Sequence, residues 1–166
     1  MTAVSNAGPL IHLSKIGLLH LLREIFGEIV IPKEAWVEVV EKGLERGDPD
    51  ALIVKEAGWL KVEEDPEGAD ELAERAGMHR GEACAILLAR SAGVPILLDD
   101  AGARRFAEGL GLTVVGSLGV VVRAVRLGLI TPEEGLEALG RLASTMRVSV
   151  DVYERARKAI ERMRGT

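Results

Sequence analysis

The sequence predicts a three-layer α/β/α sandwich built on a parallel sheet, and three observations predict it. Five short aliphatic runs, each bounded by turn formers, alternate with stretches of helical spacing. The connections between them are short, so each strand–helix–strand unit must pair its strands in parallel through a right-handed crossover. The runs are rich in β-branched and aliphatic residues, which suits a sheet covered on both faces.

The five strands are expected at residues 2–5, 28–31, 59–62, 94–98 and 112–115. Between the first two, Leu10, Leu13, Ile16, Leu18, Leu21, Leu22 and Ile25 recur at helical spacing, and Gly17 divides them into two helices. Pro32 fits the first turn of a helix running to about residue 46, and Gly47, Asp48, Pro49 and Asp50 form a turn cluster after it. A short helix before Trp59 is expected, then helices over 68–76, 81–92, 100–110 and 117–127. Thr131, Pro132 and Glu134 supply an N-cap, a first-turn proline and a capping-box acid for a helix with the stripe Leu136, Leu139 and Leu142. A last helix carries Val152, Ala156, Ala159, Ile160 and Met163 on one face. The expected organisation is a main unit over residues 1–130 and a C-terminal helical extension over 131–166 packed on the same domain.

Composition narrows the functional classes. A chain of 166 residues with 48% hydrophobic and 28% charged residues can bury a core under a solvated surface, which excludes disorder as its main state. Its longest apolar stretches, 94–98 and 116–122, fall short of the roughly 18 residues a membrane span needs, and no secretory signal pattern is present, so a cytoplasmic protein is expected. Cys84 is the only cysteine, which excludes an internal disulfide and a cysteine-cluster metal site. Net charge is −5 but uneven. Residues 34–75 hold fourteen acids against five bases, whereas residues 140–166 hold seven bases against three acids. The tail can therefore approach a polyanion that the middle repels. His12, His20 and His79 lack paired ligand spacing and read as structural or surface residues, and Trp36 and Trp59 read as core anchors in a chain with too few aromatics for a base-stacking platform.

Ligands of such sheets collect at the carboxyl ends of the strands. There the sequence places Asn6 after the first strand, Glu34 and Glu38 in the helix after the second, Glu82 at the start of the helix before the fourth, and Asp99 and Asp100 after the fourth. Oxygen ligands gathered from separate segments are what Mg²⁺ or Mn²⁺ requires. Each residue also has an ordinary use. Asp100 fits as an N-cap, Glu82 as a first-turn acid, Glu38 as a partner for Lys42 and Asn6 as the opener of an Asx-turn. The Asp99–Asp100 doublet is the strongest local signal, because adjacent carboxylates repel unless a cation or basic group is near. Gly116–Gly119 joins a strand to a helix but lacks the dinucleotide-binding glycine pattern, and no paired acids follow the first strand as a haloacid-dehalogenase-like phosphatase would need.

As a set and in this order, VSNAGPLIHLSKIGLLHLL at 4–22, VIPKEAWVEVV at 30–40, GEACAILLARSAGVPILLDDAGARRFAEGLGLTVVGSLGVVV at 81–122 and LGLIT at 127–131 resemble the PIN-domain family of metal-dependent ribonucleases, in particular a VapC-like offshoot filed as a domain of unknown function. The resemblance implies a five-stranded parallel sheet with strands one and four as central neighbours. It implies an acidic pocket at their ends in which Asn6, Glu38, Glu82 and Asp100 bind Mg²⁺ or Mn²⁺, with Asp99 as a further catalytic acid beside them. The implied reaction is hydrolysis of an RNA phosphodiester, with Arg104 and Arg105 as contacts to the nucleic acid. A small antitoxin protein and a homodimer are the partners it implies. Asn6 stands where most of the family has aspartate, Gly8 where Ser or Thr is usual and Leu98 where Thr is common. The missing charge at Asn6 makes a weak or inactive PIN-fold protein that binds RNA or a protein partner the competing expectation.

Overall fold

The computed structural model describes residues 2–165. Its strands are β1 (Thr2–Ser5), β2 (Glu28–Pro32), β3 (Leu60–Glu63), β4 (Ile96–Leu97) and β5 (Val114–Val115). The helices are α1 (Ala7–Lys15), α2 (His20–Phe26), α3 (Lys33–Trp36), α4 (Lys42–Arg46), α5 (Pro49–Glu56), α6 (Ala69–Ala76), α7 (Arg80–Ala92), α8 (Ala101–Gly109), α9 (Ser117–Arg126), α10 (Pro132–Thr145) and α11 (Val150–Arg164), with a π-helical turn, Val37–Glu41, joining α3 to α4. The sheet has the order β3-β2-β1-β4-β5, every pair parallel. Strands one and four are thus neighbours, as the resemblance implies.

Alternation along each strand divides the interior in two. Ala3, Ile29, Ile31, Leu97 and Val115 face a core shared with Leu10 and Leu13 of α1, Leu21 of α2, Val121 of α9, Leu139 of α10 and Ile160 of α11. Val4, Val30, Ile96 and Leu98 face a smaller core closed by Ile86 and Ala89 of α7 and Ala103 and Ala107 of α8. Both faces of the central strands are covered, which explains their apolar residues, whereas the edge strand β3 carries Lys61 and Glu63 and is largely uncovered. The register sets Val4 opposite Val30 on one side and Ile96 on the other, so β1 and β4 end side by side.

Several element ends differ from the sequence expectation, each for a local reason. Pro32 closes β2, opposite Glu63 of β3, and its extended backbone (φ −69°, ψ 152°) precedes α3 instead of opening it. Pro49 sits at the start of α5 and not within a turn, where its missing N–H has no intrahelical partner to lose. β3 begins at Leu60, one residue later than expected. β4 and β5 have only two residues each, and Pro95 lacks the N–H that would extend β4 backwards. Gly17, at φ +73°, makes the predicted break between α1 and α2.

The C-terminal helices lie over α9 and α1. Thr131 accepts a hydrogen bond from Glu134 N at 3.1 Å while Glu134 Oε1 accepts from Thr131 N at 2.9 Å, the predicted capping box that starts α10. Gly135 lets α10 approach its neighbours: a Cβ there would stand 2.5 Å from Val125 of α9 and 3.2 Å from Ile160 of α11. Arg141 donates to the Ile16 carbonyl at 3.1 Å, tying α10 to the end of α1. Among the described residues no helix is long and apolar enough to cross a membrane.

Candidate active site

Because β1 and β4 end together, Asn6 and the Asp99–Asp100 pair arrive at one place. A cleft of about 810 Å³ opens there, lined by Asn6, His12, Glu34, Glu38, Lys42, Arg46, Arg80, Glu82, Asp99, Asp100 and Arg147 among others. The structure therefore brings together all five sequence-predicted acid or amide residues.

Asn6 precedes α1 with extended backbone (φ −83°, ψ 176°), but its side chain makes no cap hydrogen bond. The Asx-turn expectation fails. Its Oδ1 is the one buried side-chain polar atom without a partner among the described residues. Such an orphan costs about 1–3 kcal/mol and calls for an explanation in function. It faces α7, where a Cβ on Gly81 would lie 3.3 Å from Asn6 Oδ1 and 4.0 Å from Glu38 Oε2. Glycine at 81 leaves room for the Asn6 oxygen, which a Cβ there would crowd.

Glu38 sits in the π turn, where the Lys42 N–H reaches back to the Val37 carbonyl. A π turn inside a helix shifts side-chain direction and recurs at functional sites. Glu38 forms no ion pair with Lys42 among the described residues, although both line the cleft, so that expectation also fails.

The ordinary uses of Glu82 and Asp100 do hold. Glu82, 6% exposed in the first turn of α7, accepts from His79 N through Oε1 at 3.1 Å. Asp100 caps α8, its Oδ2 accepting from Ala103 N at 2.9 Å. Each spends one oxygen on a helix start, and the other makes no hydrogen bond among the described residues. Burial pushes the Glu82 carboxyl above its ordinary value, and the charges of Asp100 and Glu38 push it the same way. The three acids feel one another.

Asp99 is differently employed. Its side chain, 7% exposed, accepts from Ser117 N at 2.7 Å through Oδ1 and from Ser117 Oγ at 2.6 Å through Oδ2. His12 Nδ1 donates to the same Oδ2 at 2.7 Å. Both oxygens are spent on joining β4 to α9 and α1. This role for His12 and Ser117 was not read from sequence, although strand parity carried the signal: Asp99 shares the face of Leu97, the face α1 and α9 cover.

Arg80 was also missed. It binds Asp65 at 2.7 Å, Asp70 at 2.7 Å and Glu34 at 3.2 Å, fastening the segment between β3 and α6 to the cleft wall. Burial alone would raise Asp65, but Arg80 and the Glu34 N–H outweigh it and hold the carboxyl below its ordinary value. Burial, followed by Asp65, pushes the Cys84 thiol up to about 12, so it is no nucleophile near neutral pH. Arg104 and Arg105 line a smaller groove beside the cleft, not the cleft itself.

The donor set suits a hard divalent ion: carboxylate oxygens from three elements and an unspent amide oxygen. Among the described residues no three carboxylate, histidine or cysteine side chains stand close enough to hold an ion between them. Asn6 Oδ1 is the further oxygen at this place, buried and without a partner among the described residues.

Comparison with known proteins agrees with this fold. In fold the chain is similar to PAE2754 from Pyrobaculum aerophilum, with a TM-score of 0.59 at 16% identity over 76% of this chain and 96% of that one. It is also similar to SSO1118, a PilT N-terminus domain protein from the hyperthermophilic archaeon Sulfolobus solfataricus P2, with a TM-score of 0.51 at 15% identity over 75% of this chain and 94% of that one. No curated protein matches. A PIN-domain family model matches residues 2–162, from the first strand through the last helix, and the chain belongs to the PIN-domain family.

Proposed function

We propose that this PIN domain is a divalent-metal-dependent ribonuclease of the VapC toxin-like type, hydrolysing RNA phosphodiesters in the acidic cleft. One observation carries the reading: the partnerless, buried Oδ1 of Asn6 lies in the same cleft as Glu38, where Glu82 is pushed up by burial and by Asp100 and Glu38. Asn6, Glu38, Glu82 and Asp100 would hold Mg²⁺ or Mn²⁺. Bound there, the ion supplies Lewis-acid activation of water near neutral pH and stabilisation of charge developing on the phosphate.

The chain's own residues do the rest. Helix caps fix one oxygen of Glu82 and one of Asp100, so the remaining oxygens need little reorganisation. Lys42 and Arg147, which line the same cleft, offset the charge of an entering phosphate. Asp99 is a positioning residue in this reading, holding the end of β4 against α9 and α1 so that Asp100 keeps its place.

A second reading is favoured by Asn6 itself, which brings no charge: a catalytically weak or inactive PIN-fold protein that binds RNA or a protein partner. A small antitoxin protein and a second copy of this chain, forming a homodimer, are the partners proposed under either reading.

Adding Mn²⁺ or Mg²⁺ should raise the melting temperature, since an ion that binds only the folded state stabilises it by mass action. Asp100→Asn and Glu82→Gln should each abolish that rise, and RNA cleavage should cease in EDTA. RNA binding without cleavage in Mn²⁺ would assign the second reading. An unchanged metal-induced rise in both variants would overturn the metal site.

A further inference from the structure

The smaller groove next to the cleft is built for something the acidic site cannot hold. It encloses about 230 Å³ and shares Asp99, Met146 and Arg147 with the cleft, so the two are continuous. Arg104 and Arg105 of α8 stand on one side, and Arg147, between α10 and α11, stands on the other. Among the described residues none of these three arginines forms an ion pair or donates a side-chain hydrogen bond, whereas Arg46, Arg80, Arg157 and Arg164 all bind carboxylates. Asp99, whose oxygens are hydrogen-bonded to Ser117 and His12, and Glu108, the only other acid lining the groove, bring two negative charges to it against the three arginines. In a protein of net charge −5 this is a locally cationic surface.

The floor between the arginines is apolar, made by Leu118, Met146 and Val148, with the partly exposed Val152 at its edge. Cations flanking an apolar floor match a chain of phosphates that also carries flat apolar faces. That is an unpaired nucleic-acid strand, whose bases are free to lie on the floor. A duplex keeps its base faces stacked inside and would have nothing to set there.

We propose that this groove is a strand-binding subsite, in which Arg104, Arg105 and Arg147 hold the phosphates of single-stranded RNA adjoining the nucleotide that occupies the acidic cleft. This rests on the ribonuclease reading for the cleft, but its consequences are separable. The groove provides affinity and direction, because a strand anchored here enters the cleft past Arg147. It also resolves an electrostatic conflict: an acidic cleft repels the substrate it is proposed to cut, and the neighbouring cations offset that repulsion.

The test is binding of a fluorescently labelled single-stranded RNA of about ten nucleotides, followed by anisotropy in EDTA so that no cleavage intervenes, across a range of salt concentrations. Arg105 and Arg147 are exposed, so the Arg105→Ala/Arg147→Ala protein should fold normally, with an unchanged melting temperature. It should bind about tenfold more weakly at low salt, and the slope of log affinity against log salt should fall by about 0.7 for each arginine removed. Glu108→Gln, which removes a negative charge from the same groove, should bind more tightly. The same affinity and slope in the double variant as in the parent would overturn the subsite. So would equal competition by an RNA duplex, or displacement by polyglutamate as effective as by single-stranded RNA, which would assign the groove to an acidic peptide. Cleavage and the metal-induced rise in melting temperature report on the cleft separately. If strand binding depends on the arginines but no RNA is cut in Mn²⁺, the ribonuclease reading fails and the groove stands. If RNA is cut but the double variant binds as the parent does, the groove fails and the ribonuclease reading stands.

Discussion

Asp99 and Asp100 are adjacent in sequence and opposite in employment. Asp99 accepts three hydrogen bonds, two from Ser117 and one from His12, and has no oxygen left over. Asp100 accepts one, from Ala103 N, and keeps an oxygen free beside Glu82. The cause is strand parity. Leu97 and Leu98 face opposite cores, and continuing that alternation turns Asp99 toward α1 and α9 and Asp100 toward α7 and α8. A carboxylate doublet at a strand end is therefore two different objects: one is structural cement for the layer behind the sheet, the other part of the cleft in front of it. Asp99 keeps its charge at the edge of the cleft but has no oxygen left to act as a ligand.

Stability is where the two should differ most. Asp99→Ala strands the Ser117 N–H, its hydroxyl and the His12 imidazole in a nearly buried setting, at a cost of about 3 kcal/mol. Asp100→Ala removes one N-cap bond, about 1 kcal/mol, and it also lowers repulsion on Glu82, which offsets part of that loss. Urea denaturation of the two variants should show midpoints well separated, Asp99→Ala the lower, with similar slopes. Equal losses would mean that the three bonds to Asp99 contribute no more than one cap, and the division of labour would collapse.

Much of this was legible in the sequence. The five strands, their parallel pairing, the break at Gly17 and the capping box at Thr131 follow from patterns that act over a few residues. The gathering of Asn6, Glu38, Glu82 and Asp100 followed from strand ends plus family resemblance. What was not legible depended on contacts between segments far apart in the chain. His12 and Asp99 are 87 positions apart and Arg80 reaches Glu34 across 46, and nothing local to either residue announces its partner. The π turn under Glu38 is a case of tertiary fit overriding an ordinary helical pattern. Asn6 reads as an Asx-turn by propensity, and only the packed structure reveals that its oxygen is left unused.

Asn6 lacks the charge of the acids that line the cleft with it. Asn6→Asp would add a negative charge at a buried position facing Glu38 and across from Glu82. Without metal the variant should be less stable than the parent by about 1–2 kcal/mol, because a buried charge without a partner is costly. With Mn²⁺ the order should reverse, since the added carboxylate gives the ion a stronger ligand than the amide does. Thermal melts with and without Mn²⁺ would read both signs. Destabilisation that Mn²⁺ leaves uncorrected would place the Asn6 oxygen outside the ion's reach.

The smallest effect expected concerns Glu82 alone, and it is a matter of pH. Burial, with Asp100 and Glu38, raises this carboxyl in the folded state above its ordinary value of 4.5. The folded protein then binds more protons than the unfolded chain just above that pH, so stability falls as pH rises through the raised value. Glu82 contributes stabilisation that is fully present below about pH 4.5 and lost above it. Glu82→Gln keeps an oxygen to accept from His79 N but cannot ionise. The metal-free variant should therefore match the parent in acid and exceed it in melting temperature at neutral pH. In excess Mn²⁺ the advantage should reverse, because ion binding favours the carboxylate the parent alone possesses. If the two proteins show the same pH dependence without metal, Glu82 is not crowded by its neighbours, and Glu82 and Asp100 are caps that happen to share a cleft.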